Sequence, residues 1–109
     1  MQVDKIFEAL ASSQRRQILA YLSKTELTTA DLAAKFKMTP PSMSRHLSIL
    51  ENAGLVRSEK RGQFVHYSLV PENLANTLNG FVQRLCPVST PLRRESAALR
   101  NARGKKPTE

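Results

Sequence analysis

Thr39-Pro40-Pro41-Ser42-Met43-Ser44-Arg45-His46-Leu47-Ser48-Ile49-Leu50-Glu51-Asn52-Ala53-Gly54 is the stretch on which the fold turns. Thr39 suits an N-cap, and prolines in a first helical turn cost little because their missing N–H groups have no helical partner there. Pro41 disfavours the helical region for Pro40, which leaves the cap itself open between neighbouring residues. Met43, Leu47 and Leu50 recur at i, i+4 and i+7 and form one apolar stripe. Gly54 suits the left-handed position that ends a helix. With the stripe turned inward, Ser42, Ser44, Arg45, His46 and Ser48 face outward. No acidic residue lies between Lys37 and Leu50. An ordinary solvated helix face mixes Glu with Lys, and this one does not. Short hydroxyls, an Arg and a His at a helix N-terminus suit the major groove of a duplex.

Working outward, Thr28 and Asp31 form a capping-box-like signal for a helix running through Leu32, Ala33 and Phe36. Lys37-Met38-Thr39 interrupts the pattern. Two helices joined by three or four residues have the spacing of a helix-turn-helix. Downstream, Leu55–Lys60 and Phe64–Leu69 are β-prone runs around a short loop, Arg61-Gly62-Gln63, and predict a hairpin. Its tip carries Lys60, Arg61 and Gln63, which can reach a phosphate or the minor groove; a generic charged turn is the plainer alternative. His66 reads as a half-buried strand residue.

Upstream, Val3, Ile6, Phe7 and Leu10 mark a short helix. Ser12 or Ser13 caps a second, with Ile18, Leu19 and Leu22 inside. Arg15 and Arg16 fall in its first turns, where the helix dipole favours acids; a nearby phosphate is one reason for them to be basic. Pro71 opens a last helix with an apolar face of Leu74, Leu78, Phe81, Val82 and Leu85. The first and last helices carry more apolar surface than so small a domain covers. Ile6, Phe7, Leu78, Phe81, Val82 and Leu85 are therefore candidates to pack across a twofold axis. The expected fold class is mainly α with a small β-hairpin, a winged helix-turn-helix, dimerised through its first and last helices.

Composition agrees. The chain has 109 residues, with 17 basic against 9 acidic side chains for a net charge of +8. A basic protein is drawn to polyanions, of which nucleic acid is the commonest soluble one. Residues 1–86 carry 11 basic and 7 acidic groups, and residues 87–109 carry 6 and 2. Hence 1–86 is read as the DNA-binding and dimerisation domain. Residues 87–109 are read as a basic, disordered tail with helical tendency around 93–102. The single cysteine, Cys86, excludes an intramolecular disulfide and any thiolate-rich metal site within one chain. Met1-Gln2-Val3-Asp4 is no signal peptide, and no apolar run approaches the roughly 20 residues of a membrane span. The expected location is the cytoplasm, with no membrane partner.

At this point the residues resemble a known family. Ser42–Val56, the wing Arg61–Leu69, and the upstream pieces Ala9-Leu10 and Arg15-Arg16-Gln17-Ile18-Leu19 are similar to the ArsR/SmtB repressors of bacteria. The resemblance covers residues 4–86. It implies a dimeric winged helix that represses transcription and is released by an inducer, whose chemistry no residue here specifies. The family's metal sensors carry Glu-Leu-Cys-Val-Cys-Asp-Leu at the start of the third helix. Here Glu26-Leu27-Thr28-Thr29-Ala30-Asp31-Leu32 puts Thr28 and Ala30 in place of both cysteines. A second family site uses acidic and histidine pairs on the last helix, but no histidine follows His66. The chain thus resembles the metal-independent, SdpR-like subgroup, with no cofactor implied. The partners expected are double-stranded DNA, on a near-palindromic operator, and a second copy of the chain.

Two other classes compete with this reading. Catalysis lacks a constellation: Cys86, His46 and His66 fall on three separate elements, with no phosphate loop and no metal spacing. A winged helix used only for protein contacts is the alternative, and it predicts binding that ignores DNA sequence. RNA binding calls for exposed stacking aromatics, whereas the four Phe and two Tyr fall mostly at core-like positions.

Overall fold

The computed structural model describes residues 3–86 and 97–101. Five helices and three strands follow in order: α1 (Val3–Leu10), α2 (Ser13–Leu22), β1 (Leu27–Thr28), α3 (Thr29–Phe36), α4 (Pro40–Asn52), β2 (Val56–Arg61), β3 (Phe64–Leu69) and α5 (Pro71–Leu85). Residues 97–101 are also helical. The rest of the expected tail lies outside the described residues. The chain falls into two compact units, one ending at Thr77 and the other beginning at Leu78.

The helix ends follow their capping chemistry. The Ser12 hydroxyl accepts from the Arg15 amide, so Ser12 is the cap of α2 and Ser13 its first residue. At α3 the box is complete: Thr28 Oγ1 accepts from the Asp31 amide at 3.0 Å, and an Asp31 carboxylate oxygen accepts from the Thr28 amide at 3.1 Å. Thr39 caps α4, with both prolines in the first turn. At the other end, Gly54 has φ 78°. Its amide donates to Glu51 O and that of Leu55 to Leu50 O, the paired bonds of a Schellman motif. Helix α3 ends the same way, but on Lys37 with φ 56°, a left-handed conformation that costs a side-chain-bearing residue energy.

The core of the first unit is Ile6, Ala9, Ile18, Leu19, Leu22, Leu32, Ala33, Met43, Leu47, Leu50, Ala53, Leu55 and Val56. Each large apolar side chain buried there is worth roughly 1.5–3 kcal/mol of transfer free energy. Ile6 corrects one expectation. It is fully buried within the chain, so it cannot also face a partner. Of the α1 stripe only Phe7 is substantially exposed, because Ile6 and Ala9 point inward.

The sheet holds a strand the periodicity did not reveal. The order is β1-β3-β2, all antiparallel, with Leu27 opposite Tyr67 and Thr28 opposite His66. A two-residue strand is too short to carry an alternation signal. The hairpin itself is tighter than expected. Arg61 pairs with Phe64, leaving Gly62-Gln63 as a two-residue turn. Gly62 has φ 64° at the first central position, the sign of a type II′ turn, which matches strand twist. Two side chains tie α4 to its surroundings: the Ser58 hydroxyl donates to Glu51 at 2.8 Å, and the Asn73 amide group donates to Gly54 O at 2.7 Å.

Candidate nucleic-acid interface

Helix α4 is oriented by burial. Met43, Leu47 and Leu50 are fully buried, so the helical repeat turns Arg45 and Ser48 to the opposite side. Ser42, Ser44, Arg45 and Ser48 are exposed. At the start of the helix Thr39 and Ser42 interlock. Thr39 Oγ1 accepts from the Ser42 amide at 3.3 Å and donates to Ser42 Oγ at 3.1 Å. The Ser42 hydroxyl thereby keeps its own proton to donate outward. Its surroundings hold no acid within α4 until Glu51. The turn from α3 is Lys37-Met38-Thr39, three residues, which fixes a helix-turn-helix.

His46 sits differently from its neighbours. It is only half-exposed, and its Nδ1 lies 3.2 Å from the Arg15 Nη1. A guanidinium stays protonated in proteins and can only donate, so Nδ1 accepts. Burial first, then the positive charges of Arg15 and Arg45, hold the imidazole below the usual histidine range. A neutral ring that accepts at Nδ1 carries its proton on Nε2.

Arg15 and Arg16 have partners that account for their charge without a phosphate. Arg15 Nε donates to Ala9 O at 2.8 Å and its Nη2 to Glu8 O at 3.2 Å. Arg16 Nη1 donates to Leu10 O at 2.6 Å. These are carbonyls of the last turn of α1, which has no helical amides left to serve them. The negative end of α1 therefore explains two cations in the first turns of α2. The dipole of α2 by itself does not reveal this, because the partners lie on α1.

The wing is also more self-contained than its composition suggested. Lys60 and Gln63 are exposed near the turn. Arg61, the last residue of β2, bonds to Glu26 and lies 3.8 Å from Glu59. The bond to Glu26, with the charges of Glu26 and Glu59, raises its pKa further. Glu26 Oε2 is also 3.4 Å from His66 Nδ1. Sequence reasoning did not single out Glu26. Its partner is 35 residues away, and no local pattern carries that distance.

Thr28 is occupied in capping α3, and Ala30 is exposed with no ligating side-chain atom. No three His, Cys, Asp or Glu side chains converge among the described residues. No helix among them is long and apolar enough to cross a membrane.

Helix α5 has no buried residue. Val82 is 48% and Leu85 68% exposed, while Leu78 and Phe81 are half-buried. Phe7 of α1 is 40% exposed.

Comparison with known proteins decides the family. The sequence profile of the "bacterial regulatory protein, arsR family" matches residues 12–58, from the cap of α2 to the start of the wing. The transcriptional repressor SdpR of Bacillus subtilis (strain 168) is 35% identical over 77 residues, covering 71% of this chain and 86% of that one. The chain belongs to the arsR family. YuzN of the same organism, an HTH-type transcriptional regulator, is 38% identical over 87 residues, covering 73% and 95%. An ArsR-like transcriptional regulator from Rhodococcus sp. RHA1 superposes with a TM-score of 0.70 at 25% identity, over 91% of this chain and 90% of that one. As an arsR-family member the chain is a DNA-binding transcriptional regulator and not an enzyme. Its fold is the family's winged helix-turn-helix.

Proposed function

We propose that the chain is a cytoplasmic, homodimeric repressor that reads a near-palindromic operator through α4 and does so without a metal. The observation that carries the reading is the exposed, acid-free Ser42/Ser44/Arg45/Ser48 edge on a helix oriented by three fully buried residues. Arg45 is the residue of that edge able to bond a guanine through two hydrogens. The serines supply donors to phosphates or base edges and let the backbone approach. Lys60 and Gln63 add backbone contacts from the wing. Arg61 contributes when a phosphate displaces it from Glu26.

The twofold is proposed to run along apolar side chains of the outer helices: the exposed Phe7, Val82 and Leu85 and the half-buried Leu78 and Phe81. Two recognition helices about one duplex turn apart then match two half-sites. Thr28 and Ala30, where metal sensors carry cysteines, support metal independence.

Selection of operators from random duplexes, repeated with zinc and with oxidant, tests this. The expected product is a symmetric site whose affinity zinc leaves unchanged. In that site Arg45→Ala costs about 1–3 kcal/mol of base discrimination. Lys60→Ala instead weakens all duplexes alike and flattens the salt dependence by roughly one unit. Binding without sequence preference would point to the protein-contact alternative.

A further inference from the structure

We infer that Arg15 is a positioning residue for DNA recognition: it holds His46 as a neutral imidazole with its proton on Nε2, rather than contacting a phosphate itself. The inference rests on the reading of α4 as the helix that meets DNA.

All of the relevant geometry lies around one guanidinium. Its Nε and Nη2 are anchored on Ala9 O and Glu8 O at the end of α1, which leaves Nη1 aimed at His46 Nδ1, 3.2 Å away. Three bonds from a planar, rigid fork fix both where the Arg15 head sits and which way the imidazole is turned. An arginine cannot accept a hydrogen bond, so this contact admits only the ring form with Nδ1 bare. The other nitrogen then carries the proton. On a helix whose exposed edge begins with Ser42, a neutral Nε2–H is a single, directed donor of the kind that suits a phosphate oxygen or a purine acceptor. Protonation of the ring would put a proton on Nδ1, break the contact and bring a third positive charge up to Arg15 and Arg45. These two are the charged groups that face the ring from α2 and from its own helix. From α1 the groups beside Arg15 are carbonyls of Glu8 and Ala9, which anchor the guanidinium and do not titrate.

A phosphate contact and a positioning role predict different behaviour. If Arg15 acts through His46, Arg15→Met and His46→Ala weaken operator binding by similar factors. Their double variant then loses no more than about twofold beyond the weaker single variant, because coupled residues are not additive. Arg15→Lys keeps the charge but loses the fork, and it should bind as poorly as Arg15→Met. The salt slope should stay as in the unmodified chain for both. The 15N shifts of His46 in the full-length unmodified protein should place its proton on Nε2.

An Arg15 that contacts phosphate would instead make Arg15→Lys nearly normal and lower the salt slope of Arg15→Met by about one unit. Either result, or a His46 proton found on Nδ1, overturns the inference while operator binding by the unmodified chain stands. If Arg15→Met does not fold, Arg15→Lys and the ring shifts decide by themselves. Failure of the unmodified chain to select any duplex sinks the DNA reading and the positioning role together, and so is told apart from failure of the inference alone.

Discussion

His46 shows how one side chain's surroundings set its chemistry. Its pKa lies below the usual histidine value of about 6.5, chiefly through burial and then through Arg15 and Arg45. A base depressed in the folded state favours folding above its unfolded value, where both states are neutral. That advantage is lost as pH falls through the folded value, since the unfolded ring takes up a proton first. We therefore expect the unmodified protein to lose stability on acidification below about 6.5, and His46→Gln to lose less over that window. Urea midpoints measured between neutral and mildly acidic pH check this; equal slopes in both proteins would count against a depressed His46. Arg45 and Ser48 were legible as outward residues because three buried neighbours on one helix define its outside. The contact between Arg15 and His46 was not, since it joins residues 31 positions apart.

At the scale of elements, both ends of α3 lend themselves to test. Thr28→Ala removes the acceptor for the Asp31 amide and should cost about 0.5–2 kcal/mol of stability, read from chemical denaturation. The two hydrogen bonds with Thr28, backbone first, lower the Asp31 pKa. Its contribution is thus present above the ordinary aspartate range and lost as pH falls through the folded value. In Thr28→Ala this acid sensitivity should shrink. The C-terminal end holds Lys37 at φ 56°. Lys37→Gly removes the Cβ clash of the left-handed conformation at some cost in unfolded-chain entropy, for a net gain of about 0.5–1 kcal/mol. A raised denaturation midpoint is expected; a lowered one would mean that the lysine side chain makes a contact worth more than the strain. The capping residues of both helices were readable, because caps act within four residues. The left-handed Lys37 was not, because lysine carries no such preference and the turn geometry imposes it.

For the whole molecule, the question is what covers α5. The core of the first unit is built from α1 to α4 and the start of β2, and no side chain of α5 is buried. Val82 and Leu85 are the exposed large hydrophobic residues of that helix. Replacing both with glutamate should shift the protein from dimer to monomer in sedimentation velocity and weaken operator binding steeply. The core residues Met43 and Leu47 would be untouched. A dimer that survives the double substitution would place the twofold elsewhere. Ile6 marks the limit of sequence reasoning at this scale. It shares a stripe with Phe7, and nothing in the spacing says that one turns into the chain's own core while the other stays at the surface.

By itself the amino-acid order determined the helix caps, the apolar stripes, the hairpin and the acid-free edge of α4. Each depends on interactions within a few residues, or on a periodicity that one element carries alone. Tertiary structure alone decided that Arg15 and Arg16 serve the carbonyl end of α1, that Arg15 meets His46, that Glu26 restrains Arg61, and that Ile6 is internal. Those outcomes depend on which distant groups meet. Pairwise electrostatics and burial act through space, and only the folded chain brings residues 15 and 46, or 26 and 61, within reach of one another.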